Sequence, residues 1–308
     1  MRKMLPILKN IKAESNLCKK ELEMDKVCIK YVPAKRYAEE LHSVMLKCFP
    51  DFWTPRFAEE NYAFPYDVKM YLLSVDGKKA GQIGYHPYSF HFCGKLRTTG
   101  GICDVGVLPE FRGKGYSTIL LEFLCGKIIK KYDPLFIPLY TDKPPVYTKM
   151  GFEVYYSGQG EKVSGKQAFA DKEKFHFSPS SLSMAKLIKK PLGKCTEEEL
   201  KKLKIRFLYE KSSSFPGKCV RSNEVWDELF RDPDSEWILK EEEYFFFRKG
   251  EMLENYSASG GTCPPLHGGH DGNMVMLKLC RKAKNRQEKL LLEKIGNREF
   301  IFPLSDVF

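Results

Sequence analysis

The stretch of sequence best suited to chemistry is a short glycine-rich segment between an apolar run and a stretch with helical spacing. Arg112, Gly113, Lys114 and Gly115 follow the apolar run, and a helix is predicted over residues 118–129. A strand that turns through glycines into a helix N-terminus presents successive backbone N–H groups, and the helix dipole adds positive potential. The glycines let the backbone approach a phosphate closely, while the arginine and the lysine add cationic side chains. The segment therefore predicts an anion site.

The segment does not complete a dinucleotide fingerprint, because Thr118 occupies the third glycine position of GxGxxG. Residues 112–117 instead resemble the pyrophosphate loop of the GNAT superfamily of N-acetyltransferases, which reads Gln/Arg-x-x-Gly-x-Gly/Ala, with Ser117 at the final small position. Residues 105–109 resemble the strand end of that superfamily, Val-x-Val-x-Pro. Residues 146–152 resemble its later signature, Phe/Leu-Tyr-x-x-x-Gly-Phe. The resemblance covers residues 27–178, about half of the chain.

The resemblance implies an α+β fold of the GNAT acyl-CoA N-acyltransferase type, with a mixed, mostly antiparallel sheet and a splayed central strand pair. It also implies acetyl transfer from acetyl-CoA to a primary amine through a ternary complex, without a metal. The residues expected to bind the donor are Val105, Val107, Arg112, Gly113, Lys114, Gly115, Tyr116 and Ser117. A backbone N–H group near Val105 or Val107 is expected to face the developing oxyanion. Gly106 is expected to permit the bulge that opens this strand from its neighbour, in which Pro138 interrupts the ladder.

Two proton transfers must accompany such a reaction. A free thiol has a pKa of about 8.5 and a lysine amine about 10.4, so near pH 7 the leaving thiolate gains a proton and the amine must lose one. Tyr147 lies where the superfamily commonly places its thiol-protonating tyrosine. Asp104 and the terminal carboxylate of Phe308 are candidate bases, while Glu110 and a water chain stay open. No single base is identified.

The arrangement in two halves resembles the enhanced-intracellular-survival type of acetyltransferase, in which a degenerate GNAT-like domain follows the active one. Residues 223–232 resemble the Trp-containing helix of that second domain, and the terminal carboxylate is the base in that family. A chain of 308 residues leaves no room for the third domain of that family. The predicted division is an N-terminal basic arm at 1–26, a catalytic domain at 27–178, a linker at 179–194 and a degenerate GNAT-like domain at 195–308.

The composition restricts the partners without choosing one. Lys and Arg number 51 against 40 acidic residues, a net charge of +11, which favours polyanions such as nucleic acid, anionic membrane or a phosphorylated cofactor. No apolar run reaches the roughly 18 residues of a membrane span, and the scattered cysteines predict free thiols in a reducing, cytoplasmic setting. The expected partners are a CoA thioester and an amine acceptor, either a small molecule or a protein lysine. Two alternatives stay open: an inactive GNAT-fold protein that binds nucleic acid or serves as a scaffold, and an enzyme that uses a longer acyl-CoA.

Two further motifs are discounted. Residues 160–167 nearly spell a Walker A loop, but Gln167 replaces the Ser or Thr that binds Mg²⁺. Cys263, His267, His270 and Cys280 lack the regular pairing of zinc ligands, so no metal site is predicted.

Periodicity supplies the elements that would position these residues. In the first half, helices are predicted over 34–48 and 118–129, and strands over 27–32, 68–75, 80–92, 101–108, 135–140, 154–156 and 175–177. In the second half, helices are predicted over 197–211, 223–231 and 273–287, and strands over 236–250, 252–258, 290–293 and 300–303.

Overall fold

The computed structural model of the chain describes residues 26–50, 68–157, 195–211, 219–231, 235–240, 243–248, 251–257 and 274–297. Several predicted features lie outside the described residues: most of the basic arm, the linker, the strands at 175–177 and 300–303, the segments 160–167 and 263–270, and Phe308.

The first half of the sheet is built from antiparallel neighbours. Strands β1 (Val27–Val32), β2 (Lys69–Val75), β3 (Lys78–Phe92) and β4 (Lys95–Val107) lie side by side in chain order. The turn after β2 holds Asp76 at φ 49° and Gly77 at φ 76°, and the turn after β3 holds Cys93 at φ 49° and Gly94 at φ 71°. Two successive residues with positive φ match the right-handed twist of a hairpin, which is why Asp-Gly is a strong turn signal.

Two helices cover opposite faces of this sheet. Helix α1 (Tyr37–Cys48) follows a short 3₁₀ turn, and helix α2 (Tyr116–Tyr132) follows β4. Met70 and Leu72 of β2 pack in the cluster that contains α1. Tyr71 and Leu73 pack in the cluster that contains α2. Because successive side chains of a strand point to opposite faces, the two helices lie on opposite sides of the sheet.

The second half of the sheet contains a strand from far along the chain. After α2 come β5 (Phe136–Thr141), the short helix α3 (Pro144–Thr148) and β6 (Glu153–Ser157). In the described sheet the strand order is β1-β2-β3-β4-β5-β10-β6, and β10 (Met274–Leu279) is antiparallel to both of its neighbours. The sheet that carries β1 to β6 is therefore completed by residues that lie more than a hundred positions later.

The prediction of a helix over residues 273–287 is wrong over most of its length. Residues 274–279 form β10, and helix α6 (Arg286–Gly296) begins near the end of that range and also covers the predicted strand 290–293. Methionine and leucine favour helices locally. Three successive side chains of β10 are buried, however, as expected for a strand covered on both faces. Pairing with β5 and β6 overrides the local preference.

A second region contains helices α4 (Glu197–Lys211) and α5 (Asn223–Arg231) and a three-stranded antiparallel sheet. Its strands are β7 (Ser235–Lys240), β8 (Glu243–Arg248) and β9 (Glu251–Ser257), so the strand predicted over 236–250 is in fact two. Trp226 is 1% exposed at the centre of its core. The region contacts the large sheet through Val220, whose N–H group donates to the Ser89 carbonyl oxygen at 2.7 Å.

These elements confirm the predicted α+β class. The described sheet is mixed, because β4 and β5 are parallel while its other neighbouring strands are antiparallel. The smaller second region is also present. Its origin as a degenerate copy of the first half stays a prediction.

Candidate functional site

The predicted anion loop lies directly before α2. A 3₁₀ turn (Pro109–Phe111) leads to Arg112 in extended conformation, and Gly113 and Gly115 have φ of 77° and 83°. An added Cβ at either glycine would meet no atom within 4 Å, so their α-carbons face open space. Helix α2 has no side-chain N-cap. The first-turn N–H groups of an α-helix lack intrahelical acceptors, so this end presents donors and positive potential to a bound anion.

The side chains of the loop differ in their roles. Arg112 is exposed, and its Nε donates to the Val107 carbonyl oxygen at 3.0 Å, which ties the loop to the end of β4. Lys114 is exposed, with Nζ 5.9 Å from the centroid of the Phe111 ring. Tyr116 is 4% exposed and packs in the core, so its contribution to an anion site is limited to its backbone.

A bulge interrupts β4 just before the loop. Gly84 pairs with Cys103 and Gln82 with Gly106, so two residues of β4, Asp104 and Val105, lie opposite the single residue between Gly84 and Gln82. Asp104 has a φ of 52°, in the left-handed region that aspartate tolerates better than most residues. The bulge therefore lies directly before Gly106, the residue expected to permit it.

Gly106 is needed for packing instead. A Cβ at this position would approach Cβ and Sγ of Cys48 at 3.0 Å each and the Phe49 ring at 3.2 Å. The glycine therefore allows the end of α1 to lie directly against β4. Burial raises the pKa of the Cys48 thiol, and the positive charge of nearby Arg112 opposes that rise.

Strands β4 and β5 separate beside the bulge. Ile102 and Leu139 are the one paired position that the structure describes between them. Asp104 and Val105 follow Ile102, so they lie where the two strands diverge. The predicted splay is confirmed, and it leaves an opening next to the bulged backbone.

Tyr147 lies on α3, beyond the end of β5. Its side chain is 8% exposed, and its ring makes an edge contact with Phe152 at a centroid distance of 6.1 Å. Burial raises the pKa of the Tyr147 phenol to about 12, and a hydrogen bond with Thr141 opposes that rise. The carboxylates of Asp142 and Asp104 raise the same pKa through their charge. The structure thus brings Tyr147 and Asp104 within electrostatic reach of each other, although 43 positions separate them in the sequence.

Sequence reasoning missed Gln82 and Thr141. Gln82 is fully buried, and its Nε2 donates to the Asp104 carbonyl oxygen at 3.4 Å, which holds the bulged backbone. Thr141 is 7% exposed at the end of β5. The available signal was a polar residue inside an apolar strand, but neither belongs to a motif.

The described residues contain no group of three or more His, Cys, Asp or Glu side chains able to hold a metal ion. None of the helices that the structure describes combines the length and the apolar character needed to cross a bilayer.

Part of the first half of the chain is similar to a known family of domains. Residues 34–155 match the family model described as an acetyltransferase (GNAT) domain. No curated protein sequence matches the chain.

Similar solved structures include a conserved protein of unknown function from Enterococcus faecalis, with 14% identity, a TM-score of 0.50 and coverage of 83% of this chain and 73% of that one. A GCN5-related N-acetyltransferase from Anabaena variabilis has 15% identity and a TM-score of 0.49, with 82% and 73% covered. Eis1 from Mycobacterium abscessus has 16% identity and a TM-score of 0.43, with 73% of this chain and 51% of that one covered. At these identities, structural likeness concerns the fold alone.

Proposed function

We propose that the protein transfers an acetyl group from acetyl-CoA to a primary amine through a ternary complex. The starting point is the match of residues 34–155 to the family model described as an acetyltransferase (GNAT) domain. Three features support the proposal: the uncapped start of α2, the bulge at Asp104 and Val105, and the buried phenol of Tyr147, whose pKa the Asp104 carboxylate raises.

The loop supplies what a pyrophosphate requires. Because Gly113 and Gly115 have no side chains, an anion can approach the backbone of the loop closely. The N–H groups that start α2 point along the helix dipole. Arg112 and Lys114 add two exposed positive charges. In this proposal residues 112–117 hold the phosphates of the donor, and the thioester extends along the opening between β4 and β5.

The bulge provides a hydrogen-bond donor for the thioester carbonyl. A bulge leaves its extra residue unpaired in the ladder, so a backbone N–H group at Val105 or Val107 can face the thioester carbonyl. A donor of this kind acts where negative charge develops on oxygen. Because the backbone of β4 is anchored to β3 and to Gln82, it needs little reorganisation during the reaction.

The proton lost by the amine and the proton gained by the thiolate are assigned to two different side chains. Asp104 lies at the bulge and is proposed to accept the proton that the attacking amine loses. Tyr147 remains protonated at neutral pH, because burial raises its pKa to about 12, and is proposed to protonate the leaving CoA thiolate. A carboxylate and a phenol can act as base and acid in one site. The terminal carboxylate of Phe308 stays an alternative base.

Turnover measurements test this function. The purified protein is assayed for CoA release from acetyl-CoA against a panel of small amines and lysine peptides. Tyr147→Phe is expected to lower kcat roughly tenfold to a thousandfold, because it removes the transferable proton. Tyr132→Phe is the matched control, since Tyr132 ends a helix of 17 residues whose opposite end, about 25 Å away, forms the loop.

The outcomes separate the alternatives. Turnover with a longer acyl-CoA but not with acetyl-CoA would favour the long-chain enzyme. Salt-sensitive nucleic-acid binding without any CoA-dependent product would favour the inactive scaffold. Equal kcat values for Tyr147→Phe and Tyr132→Phe would remove Tyr147 from the mechanism.

The cysteines bear on where such an activity would operate. The eight cysteines in the described part of the chain form no disulfide bond, which supports the proposal of a reducing, cytoplasmic setting.

A further inference from the structure

The turn that ends helix α3 holds the backbone and the ring of Tyr147. The Gly151 N–H group donates to the Thr148 carbonyl oxygen at 3.0 Å, and the Phe152 N–H group donates to the Tyr147 carbonyl oxygen at 3.3 Å. Gly151 has a φ of 79°, in the left-handed region. These two bonds around a left-handed glycine form a Schellman motif, which commonly brings an apolar contact between its two ends. Here that contact is the edge-to-face pair of the Tyr147 and Phe152 rings.

A lysine from a distant strand bonds to the same turn. Nζ of Lys278, in β10, donates to the Met150 carbonyl oxygen. It also lies 5.7 Å from the centroid of the Phe152 ring, and a Cβ added at Gly151 would be 3.6 Å from it. The last carbonyl groups of a helix lack intrahelical donors, and a lysine there also places positive charge at the negative end of the helix dipole. The amine therefore lies against three successive residues of the turn.

The sheet determines where this amine is placed. Strand β10 is paired on both sides, and Lys278 itself pairs with Ile137 of β5. Met276 and Cys280, two positions before and after Lys278, pack in the core cluster that contains Tyr147. Because alternate side chains of a strand share a face, Lys278 projects to that same side of the sheet. The donor to the turn is therefore carried by a strand with two hydrogen-bonded neighbours.

Helix α3 needs such support from outside. It contains five residues, Pro144–Thr148, and helices this short are not stable through their own hydrogen bonds. A proton donor must lie within hydrogen-bond reach of the group that it protonates, and a misplacement of about 1 Å can cost about a hundredfold in rate. A hydrogen bond from a charged group is stronger than one between neutral groups. The contact of Lys278 is therefore well suited to keep α3 in one position.

We propose that Lys278 is a positioning residue for the acyl transfer: by holding the Met150 carbonyl oxygen it fixes the end of α3, and with it the place of the Tyr147 phenol. This inference rests on the proposed acetyltransferase function and deepens it. It makes turnover depend on a residue 128 positions beyond Met150, in the part of the chain that the sequence assigns to the second domain. Lys278 itself transfers no proton.

The test removes the amine and then restores a charged donor. Lys278→Met keeps an apolar stem without the amine, Lys278→Arg keeps a positively charged donor, and Lys282→Met, at an exposed position shortly after β10, is the matched control. We expect Lys278→Met to lower kcat about tenfold to a hundredfold with little change in the KM for acetyl-CoA, because the phenol acts in the chemical step. Lys278→Arg should recover most of kcat, and Lys282→Met should match the wild type.

Combination with Tyr147→Phe distinguishes positioning from general support of the fold. If Lys278 acts through the phenol, Lys278→Met should cause no further loss of kcat in Tyr147→Phe, because residues that act as a unit are not additive. A residue that only stabilises the fold would lower kcat by the same factor in both backgrounds, or lower the melting temperature alone. Steady-state kinetics below the melting temperature of each variant, together with thermal melts, measure both quantities.

Other results overturn the inference. Wild-type kcat in Lys278→Met, no recovery in Lys278→Arg, or an equal loss of kcat in the Tyr147→Phe background would each assign Lys278 a purely structural role. If thermal melts show that Lys278→Met does not fold, Lys278→Gln, which removes the charge from a shorter polar side chain, replaces it in the same comparison. Absence of acyl transfer by the wild-type protein would contradict the proposed function itself, whereas an active wild type with an unaffected Lys278→Met contradicts this inference alone.

Discussion

At the scale of single residues, the site depends on backbone positions as much as on side chains. Asp104 is held at positive φ in the bulge, and Gly106 lets α1 approach β4. The sequence motif indicated the correct strand end and a bulge there, but not the close packing of α1 against Gly106. A Cβ clash with Cys48 depends on a helix more than fifty positions earlier, so no local pattern could reveal it.

Two glycine-to-alanine substitutions should change stability in opposite directions. Gly106→Ala places a Cβ 3.0 Å from Cys48 and should lower the free energy of unfolding by about 1–3 kcal/mol through overpacking. Gly126→Ala, on the exposed side of α2 with no atom within 4 Å, should raise it by about 0.5–1 kcal/mol. Urea denaturation measures both changes. Equal effects of the two substitutions would refute the packing role of Gly106.

Asp104→Asn tests the carboxylate separately from the backbone. Asparagine also tolerates the left-handed region, so the bulge should persist and the melting temperature should stay near that of the wild type. If Asp104 is the base, kcat should fall about a hundredfold to ten-thousandfold at neutral pH. Circular dichroism melts and steady-state kinetics measure the two effects. An unchanged kcat would indicate that the base is the terminal carboxylate or a water molecule.

At the scale of elements, most helices and hairpins were predictable because their signals are local. The Asp-Gly turn and the apolar spacing of α1 and α2 specify these elements without reference to the rest of the chain. Strand β10 was missed because its conformation depends on partners more than a hundred positions away.

The carboxylate of Glu288 joins helix α6 to neighbouring parts of the fold. Asn285 caps its start by accepting from the Glu288 N–H group at 3.0 Å. Glu288 is buried, and it accepts from Arg281 at 2.8 and 3.1 Å and from Arg97 of β4 at 3.3 Å. The carboxylate thus joins α6 to the start of β4.

This arrangement predicts sensitivity to acid. The hydrogen bonds from Arg281 lower the pKa of Glu288 to about 2 from a usual value near 4.5. A depressed carboxyl pKa stabilises the fold above the unfolded value, and that stability is lost as the pH falls from about 4.5 to about 2. Glu288→Gln should remove this part of the pH dependence, whereas Glu293→Gln, at an exposed position of the same helix, should keep it.

Denaturation followed by circular dichroism between pH 2 and pH 7 provides the measurement. Parallel stability curves for Glu288→Gln and the wild type would contradict this account.

At the scale of the whole molecule, the large sheet unites two distant parts of the chain. Ser157, at the end of β6, pairs with Met274, at the start of β10. The residues between them, including the second region, therefore connect two strand ends that are paired in the sheet. The predicted division of the chain at 178 and 195 assigns β10 to the second domain, and this assignment can be tested directly.

Two shortened chains test whether β10 belongs to the catalytic unit. Residues 1–157 alone should fail to unfold cooperatively, because β5 and β6 lose the strand that lies between them. A chain in which an Asn-Gly turn replaces residues 158–273 should recover a cooperative transition, since it joins two paired strand ends by a favoured hairpin turn. Thermal melts compare both with the full chain. Cooperative unfolding of residues 1–157 would show that the catalytic unit needs no later strand.

Calorimetric titration with acetyl-CoA measures whether the loop before α2 binds the donor. Gly115→Ala and Gly94→Ala both introduce a Cβ at positive φ, 83° and 71°, with no atom within 4 Å. The backbone strain is therefore similar, but only Gly115 lies in the loop. We predict that the wild type and Gly94→Ala bind acetyl-CoA alike, while Gly115→Ala binds at least about tenfold more weakly, a difference of about 1.4 kcal/mol. Absence of binding by the wild type, or equal affinity of the two variants, would show that this loop does not bind acetyl-CoA.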